Sequence, residues 1–511
     1  MVAAGILLSR LLGLVRNRVL AHYFGTSDAA DAFNAAFRIP NVLQNLFGEG
    51  VLSASFIPVY AGLHGRGEAR AARETAGAVA ALLGLAVSVL VLLGVLFTPV
   101  LIDLIAPGFE GEKRAATIGL VRIFFPGAGL LVLSAWCLGI LNSHRHFFLS
   151  YAAPVVWNLA IIGALMGFGG RFAGYPLAEI AAWGAVAGSL AQFLVQLPTV
   201  VRLRGAARPA GLLGQPVRTV LANFWPVFVG RGVVQISAYV DTLLASLLPT
   251  GAVAGVAYAQ VLYTLPVSLF GMSVSAAELP EMSSAGGERD ARAAVLRERL
   301  ARGLRQIAFF VVPSAVVFVA LGDVVTAALY QTGEFTRAMA VYVWAILAGA
   351  SVGLLPATLA RLYASTYYAL HDTRTPLRFA LLRVGVGLGL GYLFALHLPP
   401  VLGLEQRWGA AGLTLASALA GSLEYLLLKR ALGRRIGPAG LPGGFLARVG
   451  GAAALGGGAA WLLGAALPVQ RPVIGAIFVL GTFGVVYLGA TYAAGLPEAR
   501  GAAARILRRQ A

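Results

Sequence analysis

AGAVAALLGLAVSVLVLLGVLFTPVLI, residues 76–102, runs for 27 residues without a charged side chain. At about 1.5 Å of rise per residue, a helix of that length crosses the ~30 Å hydrocarbon core of a bilayer. The stretch lacks the period-two alternation of a barrel strand, so the expected element is a helix, which satisfies its own backbone in lipid. The same reading extends outward in both directions. Polar breaks divide the chain into about fourteen apolar stretches, most of them about 18–28 residues long. They fall near 1–24, 29–60, 76–105, 116–142, 147–169, 178–201, 217–248, 253–282, 303–329, 338–370, 377–398, 409–431, 445–466 and 472–494. The fold class expected is an all-α polytopic membrane protein.

Composition agrees. Of 511 residues, 59% are hydrophobic and 12% charged, against about 25% charged in a soluble domain. Mean hydropathy is +0.81. The net charge of +18 would suggest nucleic acid if it formed one patch, but it alternates along the loops. With a cytoplasmic N-terminus, 24 Lys and Arg fall on the cytoplasmic side, among them Arg66, Arg70, Arg73, Arg202, Arg204, Arg434 and Arg435. Only six, Lys113, Arg114, Arg171, Arg337, Arg407 and Arg471, fall opposite. This positive-inside bias places both termini in the cytoplasm and leaves no nucleic-acid patch. The single cysteine, Cys137, cannot form an intrachain disulfide. Arg10, Arg16 and Arg18 interrupt the first apolar run, which therefore reads as a retained helix and not a cleaved leader.

An internal repeat organises the chain. LFGEGVLSASFIP at 46–58 resembles LFGMSVSAAELP at 269–280; APGFEGEKRA at 106–115 resembles QTGEFTRA at 331–338; ILNSHRHF at 140–147 resembles ALHDTRTP at 369–376. Gly48 and Gly271, Gly108 and Gly333, and Arg145 and Arg374 stand 223, 225 and 229 residues apart. The expected organisation is a six-helix lobe over 1–205, a second over 206–435, and two further helices with a basic tail over 436–511. Repeats of like orientation are related by an axis along the membrane normal, with substrate near the midplane between them. The thirteenth stretch, GGAAALGGGAAWLLG, is rich in small residues, which permit close helix packing.

Charged side chains at helix centres cost about 2.5–3.5 kcal/mol on insertion scales, so they mark function. In the second helix Asp31, Asn34, Arg38, Asn41 and Asn45 are spaced 3, 4, 3 and 4 apart, on one face. A seam that only sets helix register needs one or two polar groups, not five. Pro40 should bend this helix. Arg10 and Arg16, six residues apart in the first helix, are suited to flank one cavity. Cations without nearby carboxylates favour an anion, and arginine suits phosphate oxygens in particular. The expected ligand is an anionic, phosphorylated amphiphile. Arg231, Gln235 and Asp241 lie on the seventh helix; Asp241 reads equally as a cation site or as the partner of an arginine. Glu281, Arg361 and Arg383, near predicted helix ends, read as solvated or snorkelling. There is no H-E-x-x-H, Cys/His ligand cluster or P-loop, so neither a catalytic site nor a metal site is expected.

SRLLGLVRN at 9–17, YFGTSDAADAFNAAFRIPN at 23–41 and FGEGVLSASFIPVY at 47–60 resemble the MurJ (MviN-type) lipid II flippase family of the multidrug/oligosaccharidyl-lipid/polysaccharide exporter superfamily. APGF at 106–109, GILNSHRHF at 139–147, QTGEFT at 331–336 and YALHDTRTP at 368–376 extend the resemblance over nearly the whole chain. It implies a V-shaped transporter of two lobes plus two helices that form a groove for a lipid tail. The implied substrate is undecaprenyl-pyrophosphate-linked peptidoglycan precursor, moved across the bacterial inner membrane by alternating access beside cell-wall synthesis proteins. By the same resemblance Arg10 and Arg16 match cavity arginines, Asp31 and Glu49 acidic positions, and Arg38 a basic one. Asp241 matches a position tied to sodium coupling in some members; no other cofactor is implied. Departures are Asn17 for an aspartate, Gln44 for an arginine, and Gln260 and Val261 for an Asp-Arg pair, with Arg38 or Arg231 as compensating cations. Competing readings are a flippase for another polyprenyl-pyrophosphate-linked oligosaccharide, a cation-coupled drug antiporter, and a membrane-embedded glycosyltransferase or scaffold. An antiporter for cations should line its cavity with carboxylates, and a glycosyltransferase needs larger external loops.

Overall fold

A computed structural model describes residues 2–205, 214–284, 289–466 and 471–501; the side chains of 2–4, 6, 49, 229–238 and 289 lie outside that description. The described chain is helical, with no strand. Its helices are α1 Val2–Phe24, α2 Asp28–Phe47, α3 Glu49–Gly65, α4 Ala69–Leu96, α5 Thr98–Ile105, α6 Gly111–Ser143, α7 Phe147–Phe168, α8 Gly174–Arg204, α9 Gln215–Ser246 and α10 Ala252–Pro266. There follow α11 Ser273–Ser283, α12 Arg289–Ala320, α13 Gly322–Tyr330, α14 Arg337–Ser351, α15 Leu354–Ala369, α16 Arg374–Tyr392, α17 Leu398–Val401, α18 Gly409–Ile436, α19 Gly443–Ala466 and α20 Pro472–Ala493.

Eleven helical segments are long and apolar enough to cross a membrane, twelve if the bent pair α14 and α15 is one crossing. This falls short of the fourteen expected, and α1 and α9 are long helices outside that number. α1 carries Arg10, Arg16 and Arg18 in 23 residues, and α9 carries Arg218, Arg231 and Asp241 in 32. Another difference concerns the second apolar stretch, expected as one helix. Pro40 sits inside α2, and the stretch is interrupted further on at Gly48, whose ψ of −149° leaves the helical region. A Cβ on Gly48 would lie 2.0 Å from the Gln44 carbonyl oxygen, so only glycine fits the break.

The chain forms two compact units, 1–254 and 255–511. In the first, α6 is the central helix: it packs on α2, α3, α4 and α8, and α7 packs on α8 and α1. Its buried face includes Leu120, Val121, Phe124, Phe125, Val132 and Ile140. Leu85, Leu92, Leu96, Val100 and Leu104, on α4 and α5, are exposed apolar side chains of the kind that face lipid. In the second unit α18 packs on α14, α15 and α16, while α19 and α20 pair and seat on α12 and α13 around Phe309, Val449, Phe483 and Tyr487. The glycines of α19 serve close packing: a Cβ on Gly456 would come within 3.1 Å of the Phe483 carbonyl oxygen, and one on Gly457 within 3.2 Å of Val316.

The repeat reappears in the backbone. Eight of the twelve left-handed residues among those described pair at spacings of 222 to 229, Gly25 and Gly251, Gly111 (not Gly108, as expected) and Gly333, Arg145 and His371, and Gly174 and Gly403. Arg145 and His371 are the only non-glycines among the described residues in that region, and they stand 226 residues apart. Turns of the same handedness therefore recur at the spacing read from sequence.

Candidate functional site

The strongest polar constellation of the first unit is built from α1, α2, α6, α7 and α8. Arg16 of α1 directs its guanidinium onto an aromatic pair. Its Cζ lies 4.9 Å from the Trp157 ring centroid and 5.9 Å from that of Phe37. Phe37 of α2 stacks on Trp157 of α7 at 5.7 Å, and Phe124 of α6 meets Phe37 edge-on at 5.5 Å. Trp157 is fixed in turn by its indole N–H, which donates to the Ala185 carbonyl of α8 at 3.1 Å. The Arg16 Nη2 donates to Asn17 Oδ1 at 3.2 Å, whereas its buried Nε has no hydrogen-bond partner and no carboxylate pairs with it among the described residues. A buried donor left unmade costs about 1–3 kcal/mol, and a cation–π contact returns about 0.5–2 kcal/mol. An anion accepting from Nε would satisfy both charge and donor.

Phe37 and Trp157 also line a narrow crevice with Pro40, Asn41 and Gln44. Gln44 and Leu131 are shared with a larger cavity of about 370 Å³ that reaches Asn45, Ser53, Ser134 and Gln192. Two members of the five-residue seam, Asn41 and Asn45, thus line the hollow part of the unit. Sequence reading missed Trp157, Ser134, Gln192 and Gln196. Gln192 and Gln196, four apart in the otherwise apolar SLAQFLVQLP, carried a signal of the same kind as the seam on α2.

The remaining expected residues are placed elsewhere. Asp31 is 1% exposed. Its carboxylate pairs with Lys113 of α6 at 2.7 Å and accepts from the backbone N–H of Gly251 and Ala254, at the start of α10, at 2.8 and 2.7 Å. Lys113 also pairs with Asp28 at 2.8 Å, and Asp28 accepts from the Thr250 hydroxyl. Asp31 therefore caps the first turn of α10 and holds Lys113 of α6, and it lines neither the crevice nor the larger cavity. Asn34 donates to the Ala30 carbonyl of its own helix at 2.8 Å. Arg38 donates to the Thr242 hydroxyl, its carbonyl accepts from the Tyr239 hydroxyl, and Asp241 is its electrostatic neighbour. Arg10 is exposed, two turns before Arg16. The side chains of Glu49, Arg231 and Gln235 lie outside the described residues. In the second unit Arg383 of α16 pairs with Glu424 of α18 at 3.1 Å. Among the described residues no group of three or more His, Cys, Asp or Glu side chains is placed to hold a metal.

The motif glycine of APGF has a packing reason. Gly108 N–H donates to the Ser246 hydroxyl at 3.3 Å, and a Cβ there would lie 2.1 Å from the Ser246 carbonyl oxygen. A family model described as "Lipid II flippase MurJ" matches residues 20–474. This chain belongs to the MurJ family. The Lipid II flippase MurJ of Burkholderia cenocepacia is 32% identical over 436 residues, covering 84% of this chain and 82% of that protein. The probable lipid II flippase MurJ of Rhizobium meliloti is 33% identical over 440 residues, 82% of this chain and 77% of that one. A solved lipid II flippase MurJ in an inward closed conformation shares the fold over 96% of this chain and 97% of its own, with a TM-score of 0.78 and 23% identity. An inward-facing multidrug MATE transporter of the MOP superfamily shares it more loosely, with a TM-score of 0.66 and 16% identity over 83% of this chain and 95% of its own. The family match begins at residue 20, so Arg10 and Arg16 stand outside it. Their assignment rests on the SRLLGLVRN motif and, for Arg16, on the geometry above.

Proposed function

We propose that this chain is a lipid II flippase, moving the polyprenyl-pyrophosphate-linked peptidoglycan precursor from the cytoplasmic to the outer leaflet of the bacterial inner membrane by alternating access. Membership of the MurJ family across residues 20–474 carries the reading. It is a transporter's role, and it asks no bond chemistry of the chain. Arg16 supports it, as a cation at membrane depth whose free donor suits a phosphate oxygen. The same feature disfavours a cationic-drug antiporter, whose cavity should be acidic. The Lys and Arg asymmetry supports two cytoplasmic termini.

Two sources of coupling fit. A sodium ion at Asp241 would have to share that carboxylate with Arg38, its neighbour. The membrane potential, positive outside, is worth about 2.3 kcal/mol per charge per 100 mV and draws an anionic headgroup outward without an ion site. Complementation tests the function: the wild-type chain should rescue a strain depleted of its own lipid II flippase, and Arg16→Ala should rescue poorly at equal expression. A well-expressed wild-type chain that gives no rescue overturns the assignment.

A further inference from the structure

The cavity of about 370 Å³ in the first unit is unusual in its chemistry. Its volume lies within the ~300–1,000 Å³ typical of small-molecule sites. Five polar side chains line it, Gln44, Asn45, Ser53, Ser134 and Gln192, and none of the lining residues among those described is charged. Gln192 Nε2 donates to the Ser134 hydroxyl at 2.9 Å, which donates to Gln196 Oε1 at 2.9 Å. Gln196, fully buried behind this pair, has an Nε2 without a partner. The wall is therefore fixed by its own hydrogen bonds on the α6 and α8 side. On the α2 and α3 side it is open: among the described residues, the side chains of Gln44, Asn45 and Ser53 make no hydrogen bond. Asn45 and Ser53 are exposed.

Polar groups in a membrane-spanning unit are costly when unsatisfied, so a row of them facing a hollow awaits a polar occupant. Carboxamides and hydroxyls both donate and accept, which matches a hydroxyl-rich and amide-bearing ligand. With no cation among its described lining residues, the cavity suits hydroxyls and amides better than it suits carboxylates and phosphates. Those belong with Arg16, whose aromatic neighbours Phe37 and Trp157 line the crevice that shares Gln44 with this cavity.

We infer that this cavity is the subsite for the uncharged glycosyl part of the transported amphiphile, adjoining an anion position at Arg16. The inference rests on the flippase reading and adds which part of the headgroup the first unit recognises. It separates two probes that share a pyrophosphate: lipid II, which carries the sugars, and undecaprenyl pyrophosphate, which lacks them.

Binding of both probes to the purified full chain, followed by native mass spectrometry, tests it with Asn45→Leu, Ser53→Leu and Arg16→Ala. The two leucine variants change exposed side chains, and retained binding of undecaprenyl pyrophosphate certifies their fold. Each should weaken lipid II binding about tenfold, the scale of one or two lost hydrogen bonds, while leaving undecaprenyl pyrophosphate within about twofold. Arg16→Ala should weaken both. Leucine variants that bind both probes as the wild type does, or that lose both equally, overturn the glycosyl subsite alone. A wild-type chain that binds neither probe overturns the flippase reading beneath it.

Discussion

Arg16 in the first unit and Arg383 in the second are both arginines within long apolar helices, and they are held in opposite ways. Arg383 meets the Glu424 carboxylate of the adjacent helix at 3.1 Å. Arg16 meets no carboxylate among the described residues and instead lies over Trp157 and Phe37 with its Nε unpartnered. A paired charge presents little net field to a third party, and breaking the pair strands its partner. A cation held over aromatic faces keeps its full charge and its planar donor edge available. The difference teaches that the depth of a charge in the membrane does not reveal its role; what neutralises it does. By that criterion Asp31 and Lys113 group with Arg383 and Glu424, although they lie in the same unit as Arg16.

The largest effect should come from the most buried of these pairs. Lys113→Ala leaves Asp31, 1% exposed, with two backbone donors and no counter-charge. Breaking a buried pair from one side costs about 3–5 kcal/mol, so thermal unfolding in detergent should show a large drop in Tm. Asp31→Asn with Lys113→Ala should recover part of the loss, since the neutral amide needs no counter-charge and its one oxygen can still accept from either Gly251 or Ala254. If Lys113→Ala unfolds like the wild type, Asp31 is not primarily structural, and its place in the substrate site is restored.

A smaller and functionally opposite pair of effects separates Arg16 from Arg383. Hydrogen bonds to charged groups contribute about 1.5–3 kcal/mol, so Arg16→Ala should slow lipid II flipping in proteoliposomes about tenfold or more. Tm should hardly change. Arg16→Lys keeps the charge without the planar fork and should fall between. Arg383→Ala should do the reverse, lowering Tm by stranding Glu424 while leaving flipping largely intact. The contrast breaks if Arg383→Ala impairs flipping more than Arg16→Ala at unchanged Tm.

Much of the fold was legible because the bilayer imposes it. The uncharged run at 76–102 becomes α4 and the start of α5, and the stretch at 147–169 becomes α7 almost residue for residue. The repeat was legible from loop motifs, since left-handed turns restrict sequence, and Arg145 and His371 mark that restriction where no glycine does. The site was harder to read. The seam on α2 has the spacing of one face, yet its members diverge: Asp31 caps α10, Arg38 turns to Thr242, and Asn41 lines the crevice. Helical periodicity says which side chains share a direction, not which neighbour each one meets. Trp157 was invisible because an aromatic in an apolar helix is ordinarily core, and only its distance to Arg16 gives it a second meaning.

The repeat-related loops offer the finest comparison and the smallest effect. In the first, Arg145 has a left-handed backbone, and beside it His144 meets the Tyr60 hydroxyl at 2.9 Å. In the second, Asp372 follows the left-handed His371 and is clasped by what comes next. Its carboxylate accepts from the Thr375 hydroxyl at 2.7 Å and from the backbone N–H of Arg374 and Thr375 at 3.0 Å, and pairs with Arg435 at 2.7 Å. The Thr375 hydrogen bonds first, then the Arg435 guanidinium, hold it at about 2, below the usual carboxylate range. Because the folded value is depressed, the stabilisation is complete above the ordinary value of ~3.9 and is lost as pH falls through about 2. Asp372→Asn should therefore lower Tm by about 2 °C near neutral pH, the scale of one solvent-screened pair, and should remove this contribution to the fall in Tm between pH 4 and pH 2. A variant whose acid profile parallels the wild type would show that the second loop owes its left-handed turn to the backbone alone.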